Sequence, residues 1–543
     1  MPRRIGDILK EEGIIGEQEI NFALKEQQST GERIGDILIR TGLATHTELA
    51  IALARQTGRE YLNLRDFVPQ KEALKALPFS FAKDNQVLPV RVEDHTLVVA
   101  TSEPDNLRML DLASRISKRK VKCWVASAIM IQKHIEKEYY LMEHPIDEEV
   151  QSLQDQSKRD VKSVNVERLT QLLFISAINA RATDIHITPT GKTTHVRYRI
   201  DGVAYTFYTF PVALHTRIVS NIKVKAGMDI SEQRRPQDGR MTFEFLNENY
   251  DMRISTIRTS DGENMVIRIL ATSDELYSLI NLGLEGDAIK KLKQAFNKPF
   301  GMVLMAGPTG SGKTTTLYAA LREINALEKN ILTVEDPIEY HFPLIRQTQV
   351  NEKAGYTFAS AVRSFLRQDP DVILIGEIRD KDTATMAVRA ATTGHLVLST
   401  IHANNAVGAI PRLKDLGVGD IMLSSSLVAV IAQRLVRKLC PFCKKEYESG
   451  DMEEKVFGIP KGTRLYESEG CNSCHYTGFN GRTLVSEIFL VSDNVEMMIS
   501  DGRHPVEIKK AAINEGMRTL SQDARIKIIS GVTSAREAIR VLS

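Results

Sequence analysis

Residues 307–315, GPTGSGKTT, restrict this chain more than any other stretch. They set two glycines, a lysine and a threonine at the G-x-x-x-x-G-K-[ST] spacing of a phosphate-binding loop. The apolar run 300–306 (FGMVLMA) ahead of the loop reads as a buried strand, and 317–322 (LYAALR) behind it reads as a helix. In that setting the backbone N–H groups of Gly310, Gly312 and Lys313 can converge on one point, because no side chains intervene, and the helix N-terminus adds positive potential there. Lys313 is expected to reach the β- and γ-phosphates of ATP and Thr314 to hold Mg²⁺, with Gly307, Pro308, Thr309, Ser311 and Thr315 completing the cradle. A glycine-rich turn without a ligand is the competing account, and the flanking strand and helix weigh against it.

A chain of 543 residues is too long for one core and divides into several domains. Its 71 basic and 69 acidic residues leave a net charge of +2, which provides no general surface for nucleic acid. No apolar stretch approaches the roughly 18 residues of a membrane span, and residues 1–5 (MPRRI) run straight into an amphipathic pattern. A cytoplasmic chain is expected, reaching any membrane through partners. Four of the five cysteines form two C-x-x-C pairs, Cys440 with Cys443 and Cys471 with Cys474. Separated knuckles of this kind close a tetrahedral thiolate site for structural Zn²⁺. The other reading, redox-active dithiols, lacks a thioredoxin-like context.

The amino terminus is duplicated. Residues 4–27 (RIGDILKEEGIIGEQEINFALKEQ) and 33–56 (RIGDILIRTGLATHTELAIALARQ) keep step throughout, with 28–32 as spacer. Ile5, Leu9 and Leu24, and Ile34, Leu38 and Leu53, recur at helical spacing, while Gly13 and Gly42 end a short first helix in each copy. A structural duplication would preserve those apolar positions but would not need Arg4 and Arg33, or Gln27 and Gln56, to repeat. Arginine can grip phosphate and stack on a base, and glutamine can read a base edge, so two linked copies suit a two-fold symmetric dinucleotide. A docking module that keeps the pattern for structure alone is the alternative. An α+β unit with Cys123 and Trp124 in its core completes a first domain to 142, and the polar stretch 143–162 reads as a linker.

From 163 to 272 the pattern is a helix followed by alternating strands, a compact α+β domain. Arg253 and Arg268 sit at alternating positions in its last strands. They are either surface residues of a half-buried sheet or groups that neutralise a transferring phosphoryl group. Beyond the loop, the strand at 331–335 leads into three acids, Glu335, Asp336 and Glu339, placed for Mg²⁺ and water positioning. The apolar run 372–375 precedes Gly376 and Glu377, and Glu377 is expected to orient and deprotonate the attacking water. His395 and His402 flank another buried strand, as satisfied core residues, as sensors of the γ-phosphate or as links to a neighbouring subunit.

The loop, the acidic box, the Gly-Glu pair and the histidine box, in this order, resemble the secretion-ATPase superfamily, the motors of type II secretion and type IV pilus assembly. The resemblance implies a RecA-like core at 273–543 with a zinc module at 440–474, a preceding PAS-like domain and a homo-hexamer working on an inner-membrane platform protein. It also implies that Arg253, Arg268, Arg363 and Arg367 face phosphate. The repeat resembles the cyclic-di-GMP-binding amino-terminal domain of such ATPases, as found in MSHA pili, which implies ligand contacts from Arg4, Ile5, Gly6, Leu9, Gly13, Leu24 and Gln27 and from Arg33, Ile34, Gly35, Leu38, Gly42, Leu53 and Gln56. Ile5 and Ile34 replace the leucine usual after the arginine. The tetracysteine insertion belongs with assembly and secretion motors rather than retraction motors. A RecA-like nucleic-acid translocase and a cyclic-di-GMP sensor with a degenerate ATPase are the other readings, the first opposed by the near-neutral charge and the second by intact Lys313, Thr314 and Glu377.

Overall fold

In the computed structural model, which describes residues 4–65, 67–270, 279, 281–284, 286–324 and 326–543, each repeat folds as two short helices. These are α1 Ile5–Glu11 and α2 Glu17–Thr30, then α3 Ile34–Arg40 and α4 His46–Thr57. Gly13 and Gly42 adopt φ of +66° and +76°, the left-handed geometry that ends α1 and α3. The following amides then turn back, Ile14 N–H to the Leu9 carbonyl at 3.0 Å and Leu43 N–H to the Leu38 carbonyl at 2.9 Å. Leu9 and Leu38 are fully buried with Ile8, Ile37, Ala23 and Ala52.

The contacts divide the chain into two units, residues 53–272 and residues 1–52 with 273–543. In the first, strands β1 Val87–Glu93, β2 Thr96–Thr101 and β3 Lys120–Val125 form a small sheet, antiparallel then parallel. Cys123 and Trp124 are buried in it, as expected. The stretch read as a linker departs from expectation: Ile146–Arg159 is a helix whose Ile146 and Val150 are buried in the next core. A surface helix needs only a narrow apolar stripe, and the polarity of its other faces hid this one.

That core lies under a six-stranded antiparallel sheet of β4 Ala182–Thr190, β5 Thr193–Ile200, β6 Val203–Pro211, β7 Gln237–Phe245, β8 Glu248–Thr259 and β9 Gly262–Leu270. The order is β6-β5-β4-β9-β8-β7. Helices Val166–Asn179 and His215–Lys225 pack their apolar residues into the same core.

The second unit is built on a seven-stranded sheet. Its strands are β10 Gly301–Ala306, β11 Ile331–Glu335, β12 Arg346–Gln349, β13 Val372–Ile375, β14 Leu396–Ile401, β15 Leu427–Leu439 and β18 Phe479–Leu490, in the order β12-β11-β13-β14-β10-β15-β18. All neighbours run parallel except β18, which is antiparallel to β15. Every residue of β10, β13 and β14 is buried, which is why these strands read as unbroken apolar runs. A hairpin of β16 Lys444–Glu448 and β17 Arg464–Ser468 lies between β15 and β18 in the chain.

The repeat packs beside helix Lys313–Glu323 of this unit. Arg322, near the end of helix Lys313–Glu323, pairs with Glu48 at 3.2 Å. A cavity of about 490 Å³ beside this pair is lined by Gly13, Ile15, Gly42, Leu321, Phe342 and Pro343, among others.

Candidate functional site

Parallel strands place their carboxyl ends on one edge, where ligands of open α/β sheets bind. The loop 307–312 follows β10, Glu377 lies just past β13, and His402 follows β14. Gly310 and Gly312 have φ of +75° and +89°, a conformation that a Cβ would strain. Helix Lys313–Glu323 starts at the end of the loop, with the Lys313 ammonium donating to the Gly307 and Pro308 carbonyls at 3.0 Å each. Burial draws the Lys313 pKa down; the Glu377 carboxylate opposes that shift and Arg434 adds to it. His402 is likewise drawn down by burial and then by Lys313, against Glu377. Lys313, Glu377, His402 and Arg434 therefore share one electrostatic neighbourhood.

Glu377 is largely buried, and the Arg379 guanidinium pairs with its carboxylate. Gly376 stands before it in a tight space. A Cβ there would meet Phe358 Cε1 and the Val334 carbonyl oxygen at 3.3 Å each, and Gly376 N–H donates to Val334 at 2.8 Å. Thr400 in β14 donates its hydroxyl to the Gly376 carbonyl at 2.9 Å, which ties the Glu377 segment to the strand that leads to His402.

Of the three acids after β11, Asp336 and Glu339 are exposed on the turn, whereas Glu335 is turned inward. Its Oε2 accepts from the Tyr318 hydroxyl and its Oε1 from Thr333 at 2.6 Å and Gln347 at 3.1 Å. Glu335 is 4% exposed, so its carboxylate locks β11 to helix Lys313–Glu323. That differs from the ligand-facing role expected of it, because the strand's alternation puts Glu335 on the same side as Thr333. Burial, reinforced by Glu335, pushes the Tyr318 pKa well up. His395 also departs from expectation. It precedes β14 while His402 follows it, so the length of a six-residue strand, about 20 Å, separates the two within one chain. His395 Nδ1 instead contacts the Ala390 carbonyl at 2.9 Å. Arg363, in the last turn of helix Phe358–Phe365, and Arg367 just past it are exposed, and Arg367 donates to the Arg363 carbonyl at 2.9 Å.

Arg253 and Arg268 belong to the other unit, and register explains their company. Arg240 on β7 lies opposite Arg253 on β8, Arg253 opposite Arg268 on β9, and Arg268 opposite Asp184 on β4, which in turn faces Arg199 on β5. Directly opposite residues share a sheet face, so four arginines cross the sheet in one row around a single carboxylate. Asp184 pairs with Arg268 at 3.1 Å and Arg199 at 3.6 Å. Arg240 and Arg199 escape sequence reading, since only strand register aligns them.

In the repeat, Arg4 and Arg33 occupy matching positions just ahead of α1 and α3, with φ, ψ of −70°, 143° and −71°, 142°, and both are exposed. Leu24 is exposed on α2. Leu9 and Leu38 are core residues and Gly13 and Gly42 are turn residues, so their repetition has a structural cause of its own. Gln27 donates to the Glu32 carbonyl at 3.0 Å, and Arg40 of the second copy bridges Glu26 at 2.9 Å and Glu32 at 3.1 Å, which fixes the spacer between copies. A Cβ on Gly35 would stand 2.9 Å from Leu49, so that glycine permits close helix packing.

The four cysteines converge. Sγ–Sγ distances are 3.8 Å for Cys440–Cys471, 3.9 Å for Cys443–Cys474 and 3.8 Å for Cys471–Cys474. Four thiolates about 2.3 Å from one tetrahedral ion lie about 3.8 Å apart, so the set fits zinc. Backbone N–H groups of Cys471 and Gly478 donate to Cys474 Sγ at 3.2 and 3.3 Å, which holds that sulfur in its place in the cluster.

Comparison with known proteins places these features in context. The family model described as type II/IV secretion system protein matches residues 159–540, and the MshEN domain model matches 57–145. The chain is 38% identical to the type IV pilus assembly ATPase PilB of Myxococcus xanthus, over 99% of each chain. It is 39% identical to type II secretion system protein E of Dickeya dadantii, over 87% of this chain and 97% of that one. The solved ATPase DotB of Legionella pneumophila superposes with a TM-score of 0.51 at 21% identity, over 68% of this chain and 94% of its own, a likeness of fold.

Proposed function

The chain belongs to the type II/IV secretion system protein family, and from that premise we propose that it is a motor ATPase that drives type IV pilus assembly or type II secretion under the control of cyclic-di-GMP. The observation that carries this reading is the convergence of Lys313, Glu377 and His402 on the carboxyl edge of β10, β13 and β14. ATP is the substrate and water the nucleophile. Lys313 leaves the loop carbonyls for the β- and γ-phosphates, and the backbone N–H groups of 310–313 hold the phosphate chain. Mg²⁺ accompanying the nucleotide supplies charge neutralisation, with the Thr314 hydroxyl as its protein ligand. Glu377 accepts a proton from the attacking water, and its ion pair with Arg379 orients the carboxylate for that task. His402, at the end of β14, contacts the γ-phosphate, and Glu339 and Asp336 would help hold Mg²⁺ and position the attacking water.

The arginine row supplies the remaining positive charge. Like charges set directly opposite destabilise a sheet, and a polyanion relieves that cost, so Arg240, Arg253 and Arg268 are assigned to the phosphates along with Arg363 and Arg367. In a homo-hexamer these groups and His395 can act across subunits. The motor works on an inner-membrane platform protein, and no helix among the described residues is long and apolar enough to cross a membrane. Arg4 and Arg33, presented identically by the two repeats, grip the two phosphates of cyclic-di-GMP, with Gln27 and Gln56 at the bases. Zinc on Cys440, Cys443, Cys471 and Cys474 is structural.

Purified protein with Mg²⁺ and ATP should release phosphate, and Glu377→Gln should slow that release by about a hundredfold or more while leaving ATP binding intact. Arg33→Ala should abolish cyclic-di-GMP binding without changing ATP binding. Wild-type protein that turned over no nucleotide, with or without the dinucleotide, would refute the motor reading.

A further inference from the structure

β15 runs beside the strand that feeds the phosphate loop, and their ladder ends on the pair Ala306 and Ala432. Gln433, the next residue, is fully buried, and its Nε2 donates to the Ser311 carbonyl at 2.9 Å. The packing around this contact is tight. A Cβ on Gly307 would stand 2.8 Å from the Gln433 carbonyl oxygen, and one on Gly312 would stand 3.3 Å from Gln433 Nε2 and 3.6 Å from Leu435. Gln433 and Leu435 lie two apart on β15 and so share a face. The loop thus rests on this face of β15. Gln433 Oε1 is buried with no partner among the described residues, so the bond from Nε2 to Ser311 is this side chain's one hydrogen bond among them.

In a trans peptide the carbonyl and the following N–H point in opposite directions. Drawing the Ser311 carbonyl toward β15 therefore aims the Gly312 N–H away from it, into the hollow of the loop. Left to itself, this peptide can rotate, because Gly312 on its far side accepts both left- and right-handed conformations. A rotated peptide would present a carbonyl oxygen to a phosphate. We propose that Gln433 is a positioning residue for ATP: its amide holds the Ser311–Gly312 peptide in the phosphate-binding orientation, and so sets nucleotide affinity rather than the rate of the chemical step. This rests on the ATPase reading above.

The test uses the full chain, a fluorescent ATP analogue with Mg²⁺, and steady-state hydrolysis. Gln433→Met preserves shape but loses the donor; Kd and KM should rise about tenfold at every pH, the loss expected when a buried carbonyl is orphaned, with kcat at saturation within about twofold of wild type. Gln433→Glu adds a readout that a merely structural role would not move. A protonated carboxyl donates to the Ser311 carbonyl as the amide does, while a carboxylate repels it, so the ratio of variant to wild-type Kd should climb as pH rises. A Gln433→Met protein that binds the analogue as tightly as wild type overturns the proposal, as does a Gln433→Glu ratio that stays well above one and flat with pH; should the glutamate variant fail to fold, the methionine variant decides alone. Wild-type protein that bound no analogue would overturn the ATPase reading itself, an outcome distinct from either.

Discussion

Arg322→Met should loosen the repeat from helix Lys313–Glu323 of its unit. Arg322 Nη2 lies 3.2 Å from Glu48 Oε2, with both side chains 11% exposed. At that distance the gross attraction is about 5 kcal/mol for an effective dielectric of about 20. Much of this is offset by desolvation, and charged hydrogen bonds contribute a net of about 1.5–3 kcal/mol. Glu48 has a second task, since its carboxylate accepts from Thr45 N–H at 2.8 Å while Thr45 Oγ1 accepts from Glu48 N–H at 3.0 Å, a reciprocal cap on α4. Glu48→Ala would remove both interactions and mislead. Glu48→Gln keeps a capping group and removes the charge, so it isolates the pair. We expect each of Arg322→Met and Glu48→Gln to speed local amide exchange in α3 and α4 by about thirtyfold, the equivalent of about 2 kcal/mol. The double variant should be no worse than either alone, because each already removes the whole interaction. Hydrogen exchange followed by mass spectrometry resolves these helices. Unchanged protection in Arg322→Met, or strictly additive effects in the double variant, would refute the claim that this pair fastens the repeat.

Other outcomes follow from the same structure. Purified protein should carry one zinc per chain, and Cys471→Ser should lose stoichiometric zinc and lower the melting temperature, as measured by metal analysis and calorimetry. Burial brings the His134 pKa down to about 3, so between about pH 6.5 and 3 the unfolded chain binds a proton that the folded chain refuses. Stability should therefore fall on acidification by up to about 1.4 kcal/mol per pH unit from this group. His134→Gln should flatten that slope in urea titrations at pH 4–7. Burial also pushes the neighbouring Glu138 carboxyl up, which acts in the opposite sense and is common to both proteins.

The elements legible in the sequence are those whose cause is local. The strand, loop and helix of 300–323, the glycine-ended helices of the repeat and the two cysteine knuckles each follow from spacing within a few residues, since glycine conformations, helical periodicity and knuckle geometry are short-range properties. The position of Glu377 past a buried strand was legible for the same reason, at the end of an apolar run. Tertiary structure alone decided what depends on register and on distant partners. The row of Arg240, Arg253, Arg268 and Arg199 exists because strands pair in one alignment; the chain order scatters those residues. Glu335 turned inward because Tyr318 and Gln347 arrive from other elements to meet it. The partner of the phosphate loop, Gln433, comes from a strand more than a hundred residues away, and Arg322 meets Glu48 across a sequence separation of 274 residues. Local sequence specifies backbone shape, but which side chain completes a site is settled only when the hydrophobic core fixes the strands against one another.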